Sequence, residues 1–189
     1  MDSFALDEID VGEGIALRRF RDDDADKVQA AVMRNANHLT PFMQWMVPNY
    51  SLDMARDFIS RSNKAAEARE VLGFGIFCDD ELIGSIGMVN FDWKAAKTEI
   101  GYWIDSGHEG KGIVSKACNA LIDLAFIDLE LNRIEIRCSS KNERSAAIPK
   151  RFGFTLEGCL RQSEFRDGEL HDFLVFGLLR SEWQVKNDA

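Results

Sequence analysis

The stretch Thr98 to Ala117, TEIGYWIDSGHEGKGIVSKA, constrains the fold more than any other part of the chain. It joins a strand (Thr98 to Ile104), a glycine-bearing loop (Ser106 to Gly112) and a helix (Ile113 to Leu129), in that order. The helix shows an apolar stripe of Val114, Ala117, Cys118, Leu121, Leu124 and Ala125. Gly110 and Gly112 let the backbone approach a ligand without Cβ clashes. The helix that follows points unpaired N–H groups back at the loop, which makes an anion site of a size that suits a pyrophosphate. Neither common nucleotide loop is present: G-x-x-x-x-G-K-[ST] is missing, and Ser115 stands where G-x-G-x-x-G needs its third glycine.

The rest of the chain supplies the elements such a unit must pack against. Ile15 to Phe20 reads as a strand, and the acidic cluster Asp22, Asp23, Asp24 and Asp26 opens a helix running to about Asn35. His38 to Tyr50 holds two prolines among large apolar side chains and reads as a loop or broken helix. Ser51 caps a helix through Glu70, after which Val71 to Cys78 and Leu82 to Phe91 form a hairpin turned by Asp79, Asp80 and Glu81. Ile134, Ile136 and Cys138 alternate with charged residues as a half-buried strand does. A short helix and a last hairpin through Asp167 and Gly168 complete one α/β domain spanning residues 1 to 189, with no linker or repeat.

Bulk properties exclude several classes. No apolar run reaches the roughly 20 residues needed to span a bilayer. The start MDSFALDEID lacks the basic and apolar regions of a secretory signal, so the cytoplasm is the default location. A net charge of −9 argues against nucleic-acid binding, which depends on phosphate attraction, and slightly favours a cationic substrate. Cys78, Cys118, Cys138 and Cys159 are scattered and read as small core residues, with no metal-ligand spacing. No metal is expected.

Taken together, these segments resemble the GNAT acetyltransferases, and within them the Rim-type branch that acetylates ribosomal-protein N-termini. The family's pyrophosphate loop, [Q/R]-x-x-G-x-[G/A], aligns with Glu109-Gly110-Lys111-Gly112-Ile113-Val114. Glu109 replaces Gln or Arg, and Val114 replaces the small residue. A second match is Asn142 to Phe154, NERSAAIPKRFGF, in which Pro149 occupies the position of a tyrosine acid in many relatives. Rim-type relatives place a serine three residues after the Asn, and Ser145 stands there.

The resemblance implies a mixed, mostly antiparallel sheet of six or seven strands, splayed centrally between the fourth and fifth, with about four flanking helices. It also implies acetyl-CoA as cosubstrate, its pyrophosphate on the loop through Ser115 and its pantetheine arm on the backbone of Tyr102, Trp103 and Ile104. An N–H near Ile104 would take the acetyl oxygen, and Asn142 would bond the arm or a water. An amine then attacks directly, without an enzyme nucleophile. In this scheme Glu99 is the base, acting through a water, or else an ordinary exposed strand residue, and Ser145 is the acid or thiolate donor, with the helix cap as its plainer role. Phe42 and Trp45 stand for the acceptor wall, to which Tyr50, Phe91 and Trp93 are further aromatic candidates. His38, His108 and His171 are isolated, and His108 is expected to face solvent. The acceptor is the N-terminal amine of a protein such as a ribosomal protein, or else a small amine such as a polyamine or aminoglycoside. A non-catalytic acetyl-CoA-binding module is the reading of a different class, and a homodimer is compatible with either.

Overall fold

Alternation of apolar and polar side chains builds most of the molecule into one sheet of eight strands, in the order β1-β2-β3-β4-β5-β6-β8-β7. The computed structural model describes residue 4 and residues 6 to 187, with side chains through 183; the first three residues of the acidic N-terminal stretch lie outside it. The strands are β1 (Glu8–Gly12), β2 (Ile15–Arg18), β3 (Leu72–Cys78), β4 (Glu81–Asp92), β5 (Lys97–Ile104), β6 (Arg133–Ser139), β7 (Thr155–Arg166) and β8 (Glu169–Leu179). All neighbours pair antiparallel except β5 and β6, which run parallel.

The architecture follows the expectation of a mixed, mostly antiparallel sheet, with eight strands rather than six or seven. The addition is β1, which among the described residues pairs laterally with β2 alone and whose five residues carry little apolar signal. Among the described residues there are six α-helices rather than about four: α1 (Ala25–Arg34), α2 (Ala36–Leu39), α3 (Leu52–Glu67), α4 (Ile113–Asp123), α5 (Glu143–Phe152) and α6 (Arg180–Asn187). The extra ones are a single turn, α2, and the C-terminal α6.

Helix boundaries have local causes. Ser51 caps α3, its hydroxyl accepting from the Met54 N–H at 3.2 Å. Asp24 stands, as expected, in the acidic turn that opens α1, and there it is buried, grips the Arg18 guanidinium at two 2.9 Å contacts and accepts from the Arg21 N–H. The pair thus fastens β2 to the start of α1, and burial without this partner would be costly. Past Asp123, α4 widens into a π-helical turn over Leu124–Asp128, closed by a Leu129 N–H to Leu124 carbonyl bond of 3.0 Å.

Two apolar clusters cover the two faces. Phe20, Val28, Val32, Ala55, Ile59, Phe77 and Leu82 pack α1 and α3 on one face. Leu17, Phe74, Ile86, Ile100, Leu121, Phe126, Ile134 and Phe176 pack α4 on the other. Each fully buried Leu, Ile or Phe adds about 1.5–3 kcal/mol from removing its surface from water. β7, the sheet's edge, stays largely exposed. Cys159 lies there in the open, not in the core as expected, whereas Cys118 and Cys138 are buried.

Candidate active site

The sheet opens at its centre. β5 and β6 pair only through Lys97, Thr98 and Glu99 against Arg133, Ile134 and Glu135. Beyond these the strands part, β5 staying with β4 up to Ile104 and β6 with β8 up to Ser139. This is the expected splay. The Asp105 N–H donates to the Ile83 carbonyl at 2.7 Å, so by antiparallel alternation Trp103 and Gly101 spend their backbone groups on β4. Tyr102 and Ile104 therefore turn theirs into the gap. Trp103, expected to pair its backbone with the pantetheine arm, spends it on β4, and its ring stands on one face of the sheet.

At the C-terminal end of β5 the chain enters the glycine loop. Gly110 and Gly112 adopt φ of 73° and 77°, the left-handed region that favours glycine, and a Cβ at either would meet nothing within 4 Å. Gly112 is the N-cap of α4, and the first intrahelical bond is the Lys116 N–H to the Gly112 carbonyl, 3.0 Å. Helical geometry leaves the N–H groups of Ile113, Val114 and Ser115 facing outward over the loop. Ile113 is buried and Val114 packs against the core, so the loop is held from below. Lys111 is exposed, and the Ser115 hydroxyl accepts from Arg151.

Glu109 is turned aside from the loop, held by Arg144 and by His38 Nε2 at 3.4 Å. The loop's anchor is Asp105, which the sequence did not single out. It is 5% exposed and accepts from Arg34 Nε at 2.7 Å, Asn35 Nδ2 at 2.9 Å and the Gly107 N–H at 2.8 Å. Burial works against its ionisation, yet the bonds from Asn35, Gly107 and Arg34 outweigh it and bring its pKa down to about 2. His108 packs beside it, Nδ1 3.8 Å away, and is half-buried rather than solvent-facing.

Along β5 successive side chains alternate between faces. Glu99, Gly101 and Trp103 share one face, and open space lies over Gly101. Trp103 approaches Trp45 at 6.4 Å between ring centroids, and Trp45 approaches Tyr50 at 6.2 Å. Trp45 is 43% exposed, a large apolar side chain left at the mouth of the opening. Phe42 lies in the same segment, and its carbonyl accepts from Arg166 Nε at 3.3 Å. Arg166 is buried, pairs with Glu164 at 2.9 Å and sits 5.4 Å over Phe173, so it ties this loop to β7. Phe91 and Trp93 stack on each other at 4.8 Å at the far end of β5, beside Phe4, and do not join this wall.

Glu99 is half-buried, accepts from Asn90 Nδ2 at 3.1 Å and lies 3.6 Å from Arg137 Nε. It ends a ladder of charges across the splay's root: Glu157 with Arg133 at 2.6 Å, Arg133 with Glu135 at 3.0 Å, Glu135 with Arg137 at 2.7 Å. Burial pushes its pKa above the usual carboxylate value, Asn90 and Arg137 oppose this, and Glu135 and Glu164 reinforce it.

On the other face, Asn142 caps α5, accepting from the Ser145 N–H at 3.0 Å. Ser145 faces Tyr102, whose hydroxyl donates to the Ser145 carbonyl at 3.0 Å and accepts from the Ser145 hydroxyl at 3.3 Å. The buried Cys138 thiol, pushed up by burial, also touches Ser145. His171 is buried as well, its Nδ1 2.9 Å from the Ser139 hydroxyl. Among the described residues no group of His, Cys, Asp and Glu is placed to hold a metal ion, and no helix is long and apolar enough to cross a membrane.

A splayed sheet with a free strand edge, an anion loop at one end and a half-buried acid on the opposite face fits the acyl-CoA-dependent transferases as a class. Comparison with known proteins gives the same class. Residues 15–155 match the acetyltransferase (GNAT) domain family, and the chain belongs to that family. It is 36% identical over 176 residues to YdaF of Bacillus subtilis (strain 168), covering 92% of this chain and 96% of that one. It is 31% identical over 168 residues to the ribosomal-protein-serine acetyltransferase of Escherichia coli (strain K12), covering 89% and 94%. Among solved structures, the ribosomal α-N-protein acetyltransferase RimL in complex with coenzyme A superposes with a TM-score of 0.87 at 26% identity, over 93% of this chain and 99% of that one. The chain is an acetyl-CoA-dependent N-acetyltransferase related to ribosomal-protein acetyltransferases.

Proposed function

We propose that the protein transfers acetyl from acetyl-CoA to the N-terminal α-amine of a protein substrate, of the ribosomal-protein type, by direct attack. The observation that carries this reading is the asymmetry of the splay. One face offers the helix N-terminus and Ser145, and the other offers Glu99 beside an open aromatic mouth. The cosubstrate lies between, its pyrophosphate on the N–H groups of the Gly110 to Ser115 loop and its pantetheine arm along the gap-facing backbone of Tyr102 and Ile104. One of those two N–H groups takes the acetyl oxygen as negative charge develops on it.

The amine enters past Trp45 and Phe42. A free α-amine has a pKa near 7.7–8, so a proton must leave before or during attack. Glu99 accepts it through a water, helped by burial that raises its affinity for a proton. The tetrahedral intermediate collapses, the C–S bond breaks, and the Ser145 hydroxyl donates a hydrogen bond to the departing thiolate. What supports the protein acceptor is the likeness to ribosomal-protein-serine acetyltransferase and to RimL, together with the exposed Trp45 beside Trp103.

The test is thiol release in a panel of acceptors: peptides with ribosomal-protein N-termini, the same peptides with blocked N-termini, spermidine and an aminoglycoside. Free coenzyme A is expected with unblocked peptides only. Release with spermidine but not with peptides would replace the protein acceptor with a small one, and no release with any amine would leave a binding module.

A further inference from the structure

Pro149 sits inside α5 and has no N–H. In a regular helix that N–H would bond the carbonyl four residues earlier, which belongs to Ser145. The orphaned carbonyl finds its donor across the gap instead: the Tyr102 hydroxyl reaches it at 3.0 Å. The same phenol oxygen accepts the Ser145 hydroxyl at 3.3 Å. One tyrosine on β5 therefore holds both the backbone and the side chain of one residue on α5, and it is the proline that draws it there.

We propose that Tyr102 is a positioning residue for acetyl transfer, fixing the Ser145 hydroxyl at the gap where the departing thiolate forms. The proposal rests on the reading of Ser145 as the thiolate's hydrogen-bond donor. A serine hydroxyl has three staggered rotamers, and only one with its oxygen toward the gap serves a sulfur there. The Tyr102 oxygen selects it. The phenol is itself immobile, because its own proton is committed to the Ser145 carbonyl and its ring packs against the core. At 3.3 Å the Ser145 to Tyr102 bond is longer than the usual 2.7–2.8 Å for hydroxyl pairs, so it is readily exchanged for a charged acceptor. As C–S cleavage proceeds, the Ser145 O–H rotates from the phenol to the sulfur. No proton is transferred and no covalent bond involves Tyr102.

Two effects have to be separated: satisfying a backbone carbonyl, which is structural, and orienting a hydroxyl, which acts on the rate. Pro149→Ala separates them, since it restores an N–H to the Ser145 carbonyl without touching the hydroxyl pair. The experiment measures single-turnover acetyl transfer, acetyl-CoA dissociation constant and thermal midpoint for Tyr102→Phe, Ser145→Ala, Tyr102→Phe/Ser145→Ala and Tyr102→Phe/Pro149→Ala. Tyr102→Phe is expected to slow transfer about five- to tenfold with the dissociation constant within about twofold of wild type. In the Ser145→Ala background it should cost nothing further. Adding Pro149→Ala should recover the thermal midpoint but not the rate. Wild-type transfer by Tyr102→Phe, or recovery of the rate together with the midpoint, overturns the proposal. If Ser145→Ala itself transfers at the wild-type rate, it is the role of Ser145 that falls.

Discussion

Glu99 and Asp105 are two acids at opposite ends of the same stretch of β5, and their surroundings drive them in opposite directions. Asp105, where β5 gives way to the loop, collects three donors from α1 and its own turn and stays ionised down to about pH 2. Glu99, where the splay begins, has one amide donor and one guanidinium at 3.6 Å, and it feels Glu135 and Glu164 nearby. Both are sheltered from water. A carboxylate that accepts three hydrogen bonds is held ionised, whereas one left short of donors keeps a raised affinity for a proton, which is the property a base needs. The glycine loop is thus held by an acid kept ionised, and the acceptor side presents one whose proton affinity is raised.

The comparison breaks most visibly at Asp105. Asp105→Ala strips Arg34 and Asn35 of a shared partner, and a fall in unfolding free energy of about 2–3 kcal/mol is expected, below the full cost of breaking a deeply buried pair because Arg34 is partly exposed and also reaches Glu81. For a chain of this size that is a drop of roughly 5–10 °C in thermal midpoint. A depressed carboxylate contributes stability above its unfolded pKa near 3.9 and loses it as pH falls through its folded value of about 2. Urea titrations should therefore show a gap between wild type and variant that is constant above about pH 4 and narrows toward pH 2. A gap that persists unchanged at pH 2 would mean that charge has no part in the anchor.

Glu99→Gln is the opposite case, with a large effect on rate and little on stability. Transfer should fall about 100-fold, within the usual range for general-base catalysis. The base acts only when deprotonated, so the wild-type rate should rise with pH through a pKa above the ordinary 4.5, and the Gln variant should lack that limb. An acceptor amine of low pKa keeps the substrate's own titration out of the profile. An unaltered limb in the variant would assign the base elsewhere.

That contrast also marks what the sequence could tell. The β5, loop and α4 unit is legible because its glycines, its strand and its helix stripe are contiguous, and short-range geometry decides them. Asn142 and Ser145 are legible through the family spacing, but the plainer role expected of Ser145 falls to its neighbour: Asn142 is the helix cap, and Ser145, three residues inside, supplies the N–H it accepts. Asp105 was not legible, since its partners Arg34 and Asn35 are remote in sequence and meet it only once α1 packs on the sheet. Arg166 holding Phe42, and Tyr102 filling the bond that Pro149 vacates, are likewise products of tertiary contact. β1 escaped notice because an edge strand with one neighbour needs little apolar signal.

At the loop end, Gly112→Asp should sharpen the assignment of the anion site. It forces a side chain onto a φ of 77° and brings a negative charge to the N-terminus of α4. Acetyl-CoA should bind at least tenfold more weakly, about 1.4 kcal/mol, as read by calorimetry on the folded variant. Unchanged affinity would move the pyrophosphate off this loop.

The smallest expected effect is the finest test of what tunes Glu99. Arg137 approaches it at 3.6 Å while bonding Glu135 at 2.7 Å, so it lowers the proton affinity of both acids. Its guanidinium is 39% exposed, and water and salt screen such a pair to about 0.2–1 kcal/mol. With 1.36 kcal/mol for each pH unit, removing the charge should move the acid limb upward by at most about 0.7 unit. Arg137→Gln should therefore transfer up to about fivefold more slowly at a pH on that limb and at the wild-type rate on the plateau above it. Raising the ionic strength should shrink the difference, because the same screening that limits the pair is strengthened. The direction is decisive: loss of a nearby cation can only raise the pKa of a carboxylate, so a limb that moves downward, or a plateau that falls with it, would show that Arg137 acts on the acceptor or on the splay itself and not on the charge of Glu99.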